Sequence, residues 1–100
     1  MALLHIDLQD GFFEDTVVVF VNGEEKYRKS SVKTKVQIGL AESFELDVTE
    51  GRVSVRVSMP LRNLSESVEI QVSTDVYFGV SLSTGGKLIC YTSDQPFRYL

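Results

Sequence analysis

The chain's one histidine, His5, stands two residues before Asp7. On a strand that spacing puts both side chains on one face, where a carboxylate can orient an imidazole to act as base for a serine. A plain outward pair in water is the simpler expectation. No nucleophile, base and electrostatic stabiliser converge in the sequence, so the chain is expected not to be an enzyme. Cys90 falls in an apolar alternation beside Val80, the setting of a small buried hydrophobe rather than a reactive thiol. One Cys and one His are too few ligands for a mononuclear structural zinc site, and no cofactor is implied. Asp7, Asp10, Glu14 and Asp15 gather about Gly11, but the spacing fails the calcium-loop pattern; an acidic, solvated turn is expected there, and no metal. Gly79–Lys87, GVSLSTGGK, has the wrong spacing for a phosphate loop, and strands flank it instead of a helix. Asn63-Leu64-Ser65 is a formal glycosylation sequon, read as accidental because no secretory signal is seen.

Two features point to binding. Lys26, Arg28, Lys29, Lys33 and Lys35 surround Tyr27 and supply half of the ten basic residues, which suits phosphates or an acidic surface. The competing explanation is that lysines guard an exposed sheet edge against other chains. Tyr77 is placed on the outward face of its strand with Tyr91 across a hairpin, and with Phe97 and Tyr99 these can form an apolar interaction patch. Packing of the chain's own tail on that patch is the alternative.

The elements that position these residues are strands. Phe44, Leu46 and Val48 alternate with polar residues, as do Val53, Val55, Val57 and Met59. With Thr49–Arg52 as loop the two read as a hairpin, Leu46 opposite Val55 and Glu45 opposite Arg56. Leu4, Ile6 and Leu8 mark a first strand, followed by a turn whose Phe12 and Phe13 are expected to plug the core. The run from Thr16 to Val21 meets Asn22-Gly23, a strong hairpin signal. A two-residue loop puts Val21 opposite Glu24 and Val18 opposite Tyr27, leaving open which valine face is core. The return strand is expected to run into an exposed bend at Ser31. Val32, Thr34, Val36, Ile38 and Leu40 then read as a further strand. Pro60 ends the 53–59 strand, Leu61–Ser65 reads as loop, and Val68–Val72 is the next strand. Val76–Leu82 and Leu88–Thr92 form a last hairpin with Leu82 opposite Leu88 and Val80 opposite Cys90, and the tail packs over one edge.

One hundred residues fit one domain, residues 1–100. Apolar residues are 43% and charged residues 24%, within the range of chains that fold into an ordinary core. The net charge of −4 disfavours nucleic acid as a partner. No apolar run is long enough for a membrane span and the N-terminus lacks a basic n-region, so no membrane association and a cytoplasmic location are expected. Short strands with turns every 8–12 residues predict an all-β fold, a single-domain antiparallel β-sandwich of seven to eight strands, immunoglobulin- or prealbumin-like, with a closed barrel as the alternative.

Val-Val-Val-Phe-Val-Asn-Gly at 17–23, followed by Thr-Glu-Gly-Arg-Val-Ser-Val-Arg-Val at 49–57, resembles small prealbumin-like sandwiches, in pattern the PEGA and carboxypeptidase-regulatory-like modules. The PEGA tetrapeptide itself is absent. The resemblance implies a non-catalytic accessory domain, exported in most members, at odds with the missing signal. From the exposed sheet edges and the Tyr77/Tyr91 face, the function expected is a non-catalytic protein-interaction or self-assembly module, a homodimer being the simplest case. The alternative is a binding module for an anionic ligand or acidic partner through residues 26–35.

Overall fold

Leu4, Ile6 and Leu8 are fully buried while His5 and Asp7, between them, are not, so the N-terminal period of two is a strand with one dry face. The same logic repeats through the computed structural model, which describes residues 2–99. Its strands are β1 (Ala2–Leu8), β2 (Asp15–Val21), β3 (Glu24–Val32), β4 (Glu42–Val48), β5 (Gly51–Met59), β6 (Leu64–Val72), β7 (Val76–Leu82) and β8 (Leu88–Ser93). They form two four-stranded sheets, ordered β4-β1-β7-β8 and β3-β2-β5-β6, whose inner faces close on one core. Neighbouring strands are antiparallel except β1 and β7, which run parallel. The protein is an all-β sandwich. A single 3-10 turn at Pro60–Arg62 interrupts the strands, since proline cannot donate to a ladder.

The strands at 44–48 and 53–59 exist, but the expected hairpin does not. β4 pairs with β1, setting Leu46 beside Leu4, whereas β5 lies in the other sheet between β2 and β6. Alternation states only that each strand has one apolar face. A chain that turns at Thr49–Gly51 and crosses between sheets keeps both apolar faces inward, as a hairpin would. Nor does Glu45 meet Arg56. Its carboxylate is 2.9 Å from His5 Nδ1, and the Arg56 guanidinium lies 4.0 Å over the Phe20 ring.

The Asn22-Gly23 turn forms as expected, with φ of 50° and 82° at the two central residues and Val21 opposite Glu24. One step later β3 carries an extra residue, Lys26, so Tyr27 stands opposite Val19 and not Val18. The bulge settles the open choice of face: Val17, Val19 and Val21 line the core, and Tyr27 packs against them. Val18 is buried too, on the opposite face.

The strand expected at 32–40 is a second correction. β3 bends at Ser31, exposed and at φ 58° within its second register shift, and continues to Val32; a turn then follows in which the Ile38 and Gly39 amides both donate to the Lys35 carbonyl, leaving Val36 87% exposed. Thr34 explains the departure. Its amide donates to the Phe12 carbonyl, and its hydroxyl accepts from the Phe12 amide and donates to the Gln9 carbonyl at 2.6 Å. The chain is thereby tied to the β1–β2 loop and has no ladder to join. Phe12 plugs that end of the core, but its neighbour Phe13 is 62% exposed. The 61–65 loop is shorter than expected, because β6 already begins at Leu64. The β7–β8 hairpin has the expected register.

The topology makes a sharp prediction for nuclear Overhauser contacts in solution. Backbone protons of Leu46 should contact those of Leu4, and backbone protons of Val57 those of Val19; a backbone contact between Leu46 and Val55 would restore the hairpin.

Candidate interaction surfaces

The basic segment does not form one electropositive patch. Lys26 pairs with Glu24, Arg28 with Glu25 at 2.9 Å, and Lys29 with Glu42 of β4. Each pair leaves its mark: Lys26 holds the Glu24 carboxyl below its ordinary pKa, and Glu42 raises that of Lys29. Tyr27 points inward and stacks on Phe44, ring centroids 3.6 Å apart, which closes the seam between the β3 and β4 edges. Lys33 lies 5.5 Å from the centre of the Phe13 ring, and Lys35 opens the following turn. These two alone of the five cations have no carboxylate partner among the described residues. The segment's charges are laid out as on a guarded edge.

Tyr77 and Tyr91 do share the outer face of the β4-β1-β7-β8 sheet, but each has its own partner. Tyr77 stacks on His5 with centroids 4.4 Å apart. Tyr91 sits across from Gly79, where a Cβ would lie 2.8 Å from its ring, and donates its hydroxyl to Gln9 Oε1 at 2.5 Å. The tail packs here as the alternative reading anticipated, over the sheet face and not an edge: Phe97 meets Tyr91 edge-on at 5.2 Å. The Tyr99 hydroxyl donates to Asp7 Oδ2 at 2.6 Å and accepts from Gln9 Nε2 at 2.9 Å. Burial and that carboxylate push the Tyr99 phenol well above its ordinary pKa.

His5 is not a histidine–Asp7 pair in water. Its ring lies between Glu45, on Nδ1, and Asp75, on Nε2 at 3.3 Å, while Asp7 takes hydroxyls from Ser43 and Tyr99. The acidic turn is equally dispersed. Asp10 and Glu14 are exposed as expected, but Asp15 is 5% exposed, a buried carboxylate held by the solvent-facing Arg62 at 2.6 Å and by the Phe13 amide at 2.8 Å. No group of three or more His, Cys, Asp or Glu among the described residues is placed to hold a metal. Cys90 is half-buried on the inner row of β8, where burial and the carboxylate of Glu66 raise its thiol to about 11. A protonated thiol at neutral pH is a poor nucleophile.

The four edge strands are unequally protected. β3 carries Glu24, Glu25, Lys26, Arg28 and Lys29 and has two register shifts; β4 carries Glu42, Glu45 and Asp47. β6 carries Glu69 and, on its inward row beside Val57, Glu66. Charges, bulges and inward carboxylates are the standard obstacles to edge pairing. β8, Leu-Ile-Cys-Tyr-Thr-Ser, has no charge, no proline and an unbroken register with β7. On its outer row Ile89 is 48% and Tyr91 43% exposed. Sequence reasoning found Tyr91 but not the edge, because which strands are outermost depends on sheet order.

No family model, curated protein or solved structure matches this chain. No helix among the described residues is long and apolar enough to cross a membrane.

The histidine cluster supplies a pH test. The Leu3 amide, first, and then His5 hold the Asp75 carboxyl below its ordinary pKa of 3.8. A depressed carboxyl stabilises the fold above its unfolded pKa and loses that contribution as pH falls through the folded value. In urea unfolding Asp75→Asn, which keeps an acceptor for Leu3, should be less stable than wild type at pH 6, with the gap closing below about pH 4. A gap constant down to pH 2 would contradict the assignment.

Proposed function

We propose that this protein is a non-catalytic self-assembly module, in which β8 of one copy pairs antiparallel with β8 of a second. The observation that carries the reading is the contrast between β8, free of charge and bulge, and the three other edges, each bearing at least two charged residues. An edge strand left with outward N–H and C=O groups is a template for another strand, and a two-fold axis satisfies both copies at once.

The residues of β8 complement themselves. With the axis at Cys90, Ile89 of one copy stands opposite Tyr91 of the other, an aliphatic–aromatic pair of the kind worth roughly 0.2–1 kcal/mol. Leu88 then faces Thr92. Lys87, just before the strand, then faces Ser93 of the other copy, so the pairing sets no two like charges opposite each other. The chain's own tail lies over the outer face, Phe97 against Tyr91 and Tyr99 bonded to Asp7 and Gln9, and among the described residues it makes no backbone–backbone bond that would occupy the β8 edge. The anionic-ligand alternative is left with Lys33 and Lys35, which border an open surface hollow with Thr34, Val36 and Gln37.

Light scattering coupled to size exclusion tests the reading. Wild type should run as a dimer, Ile89→Lys as a folded monomer, and Ser67→Lys, on the β6 edge, as a dimer still. A monomeric wild type at every attainable concentration, or a dimer that survives Ile89→Lys, would sink the proposal.

A further inference from the structure

The groove that holds the tail is braced by groups outside the tail. Gln9 is 5% exposed, a polar side chain placed where β1 ends beside β7. Its Oε1 accepts the hydroxyls of Tyr91 at 2.5 Å and Ser81 at 3.2 Å, which leaves Nε2 as the group facing the tail. Its backbone is tied on both sides, N–H to the Val80 carbonyl and C=O to the Thr34 hydroxyl. Asp7 is fixed in the same way: Ser43 donates to Oδ1 at 2.7 Å, and Oδ2 is presented to the groove. Gly79 keeps the floor low, because a Cβ there would lie 2.8 Å from the Tyr91 ring and 3.1 Å from Gln9 Nε2. A donor and a charged acceptor, both held by groups outside the tail, converge on one hydroxyl. That combination suits a phenol, which donates to the carboxylate and accepts from the amide.

The tail is attached far more loosely than its seat is made. Phe97 and Tyr99 face the sheet, and Arg98 between them is exposed, the period of an extended segment. Among the described residues, the backbone of 94–99 makes one hydrogen bond, a local one from the Gln95 amide to the Ser93 hydroxyl. Among the described residues, the ring contacts and hydrogen bonds that hold it in the groove are the Phe97 ring against Tyr91 and the two bonds of the Tyr99 hydroxyl. A rigid receptor with a side-chain-held occupant is the arrangement of an exchangeable ligand.

We infer that this groove is a peptide-binding site for an extended segment of another chain carrying an aromatic residue and, two positions on, a tyrosine, and that the protein's own Phe97-Arg98-Tyr99 is its resident competitor. The site lies on the outer face of the sheet and the inference does not depend on β8 pairing. Binding in trans requires the tail to leave, so the intact protein discriminates against weak ligands and the vacated groove does not.

The test keeps the full chain. The side-chain amide of Gln9 is followed by NMR while the synthetic peptide Asp-Gln-Pro-Phe-Arg-Tyr-Leu, the sequence of residues 94–100, is added to Phe97→Ser/Tyr99→Ser and to wild type. Saturable shifts at Gln9 are expected in the variant, with binding weaker by about tenfold or more in wild type, where the tail competes. A peptide with Phe in place of its Tyr should lose about tenfold on the variant, because the carboxylate and amide are left without their hydroxyl. The milder Tyr99→Phe chain serves as second recipient if the double variant is poorly folded. Absence of saturable shifts at millimolar peptide in a folded variant, or equal binding of the Phe peptide, overturns the inference.

Discussion

Every backbone N–H and C=O in a sheet must find a partner, and in a two-sheet sandwich four rows of them reach an edge. This chain treats those rows differently. On one side β3 and β4 are drawn together by the Tyr27–Phe44 stack and the Lys29–Glu42 pair, which close the seam with the protein's own side chains. On the other side β6 and β8 lie over half-buried Leu64, Val68, Val76 and Cys90, with a cleft of about 400 Å³ between them. Glu66 points inward from β6 and spoils that edge for a dry partner. β8 alone carries no such device, and its exposed Ile89 and Tyr91 add an apolar row alongside it.

The same sheet supports the second surface. β1 runs parallel to β7 and places Asp7 level with Gly79, which β8 in turn sets opposite Tyr91. One line across three strands thus assembles a carboxylate, a space and an aromatic wall, with the Gln9 amide at its end. Core packing fixes the line. Leu4, Ile6, Leu8, Phe78 and Val80 are fully buried on the inner face, so their neighbours on the outer face cannot shift register without exposing the core.

Much of the fold was legible because burial on one face writes a period of two into the sequence. All but one of the expected strands exist, and the Asn22-Gly23 and Thr84–Gly86 turns carried their own signals. Which strand lies beside which was not legible in the same way. The alternations at 44–48 and 53–59 are identical for strands paired in one sheet and strands facing across a sandwich. Val32–Leu40 failed because alternation cannot report that Thr34 has spent its hydrogen bonds on the β1–β2 loop. For the sites, Tyr77 and Tyr91 were visible as aromatics on an outward row, and the tail's packing there was foreseeable. Gln9 was not, since its role depends on Tyr91 and Tyr99, more than eighty positions away. The basic segment was visible by composition, but its partners Glu24, Glu25 and Glu42 neutralise most of it through contacts that only the β3 bulge and the β3–β4 seam create.

The central claim is that β8 is the one edge whose outward backbone groups are satisfied by another copy. Amide hydrogen exchange measured at several protein concentrations addresses it strand by strand. The account predicts that outward-facing amides of β8 gain protection as concentration rises, while those of the β3 and β6 edges do not change. Concentration-independent exchange in β8, or protection that grows on β6 instead, would contradict it.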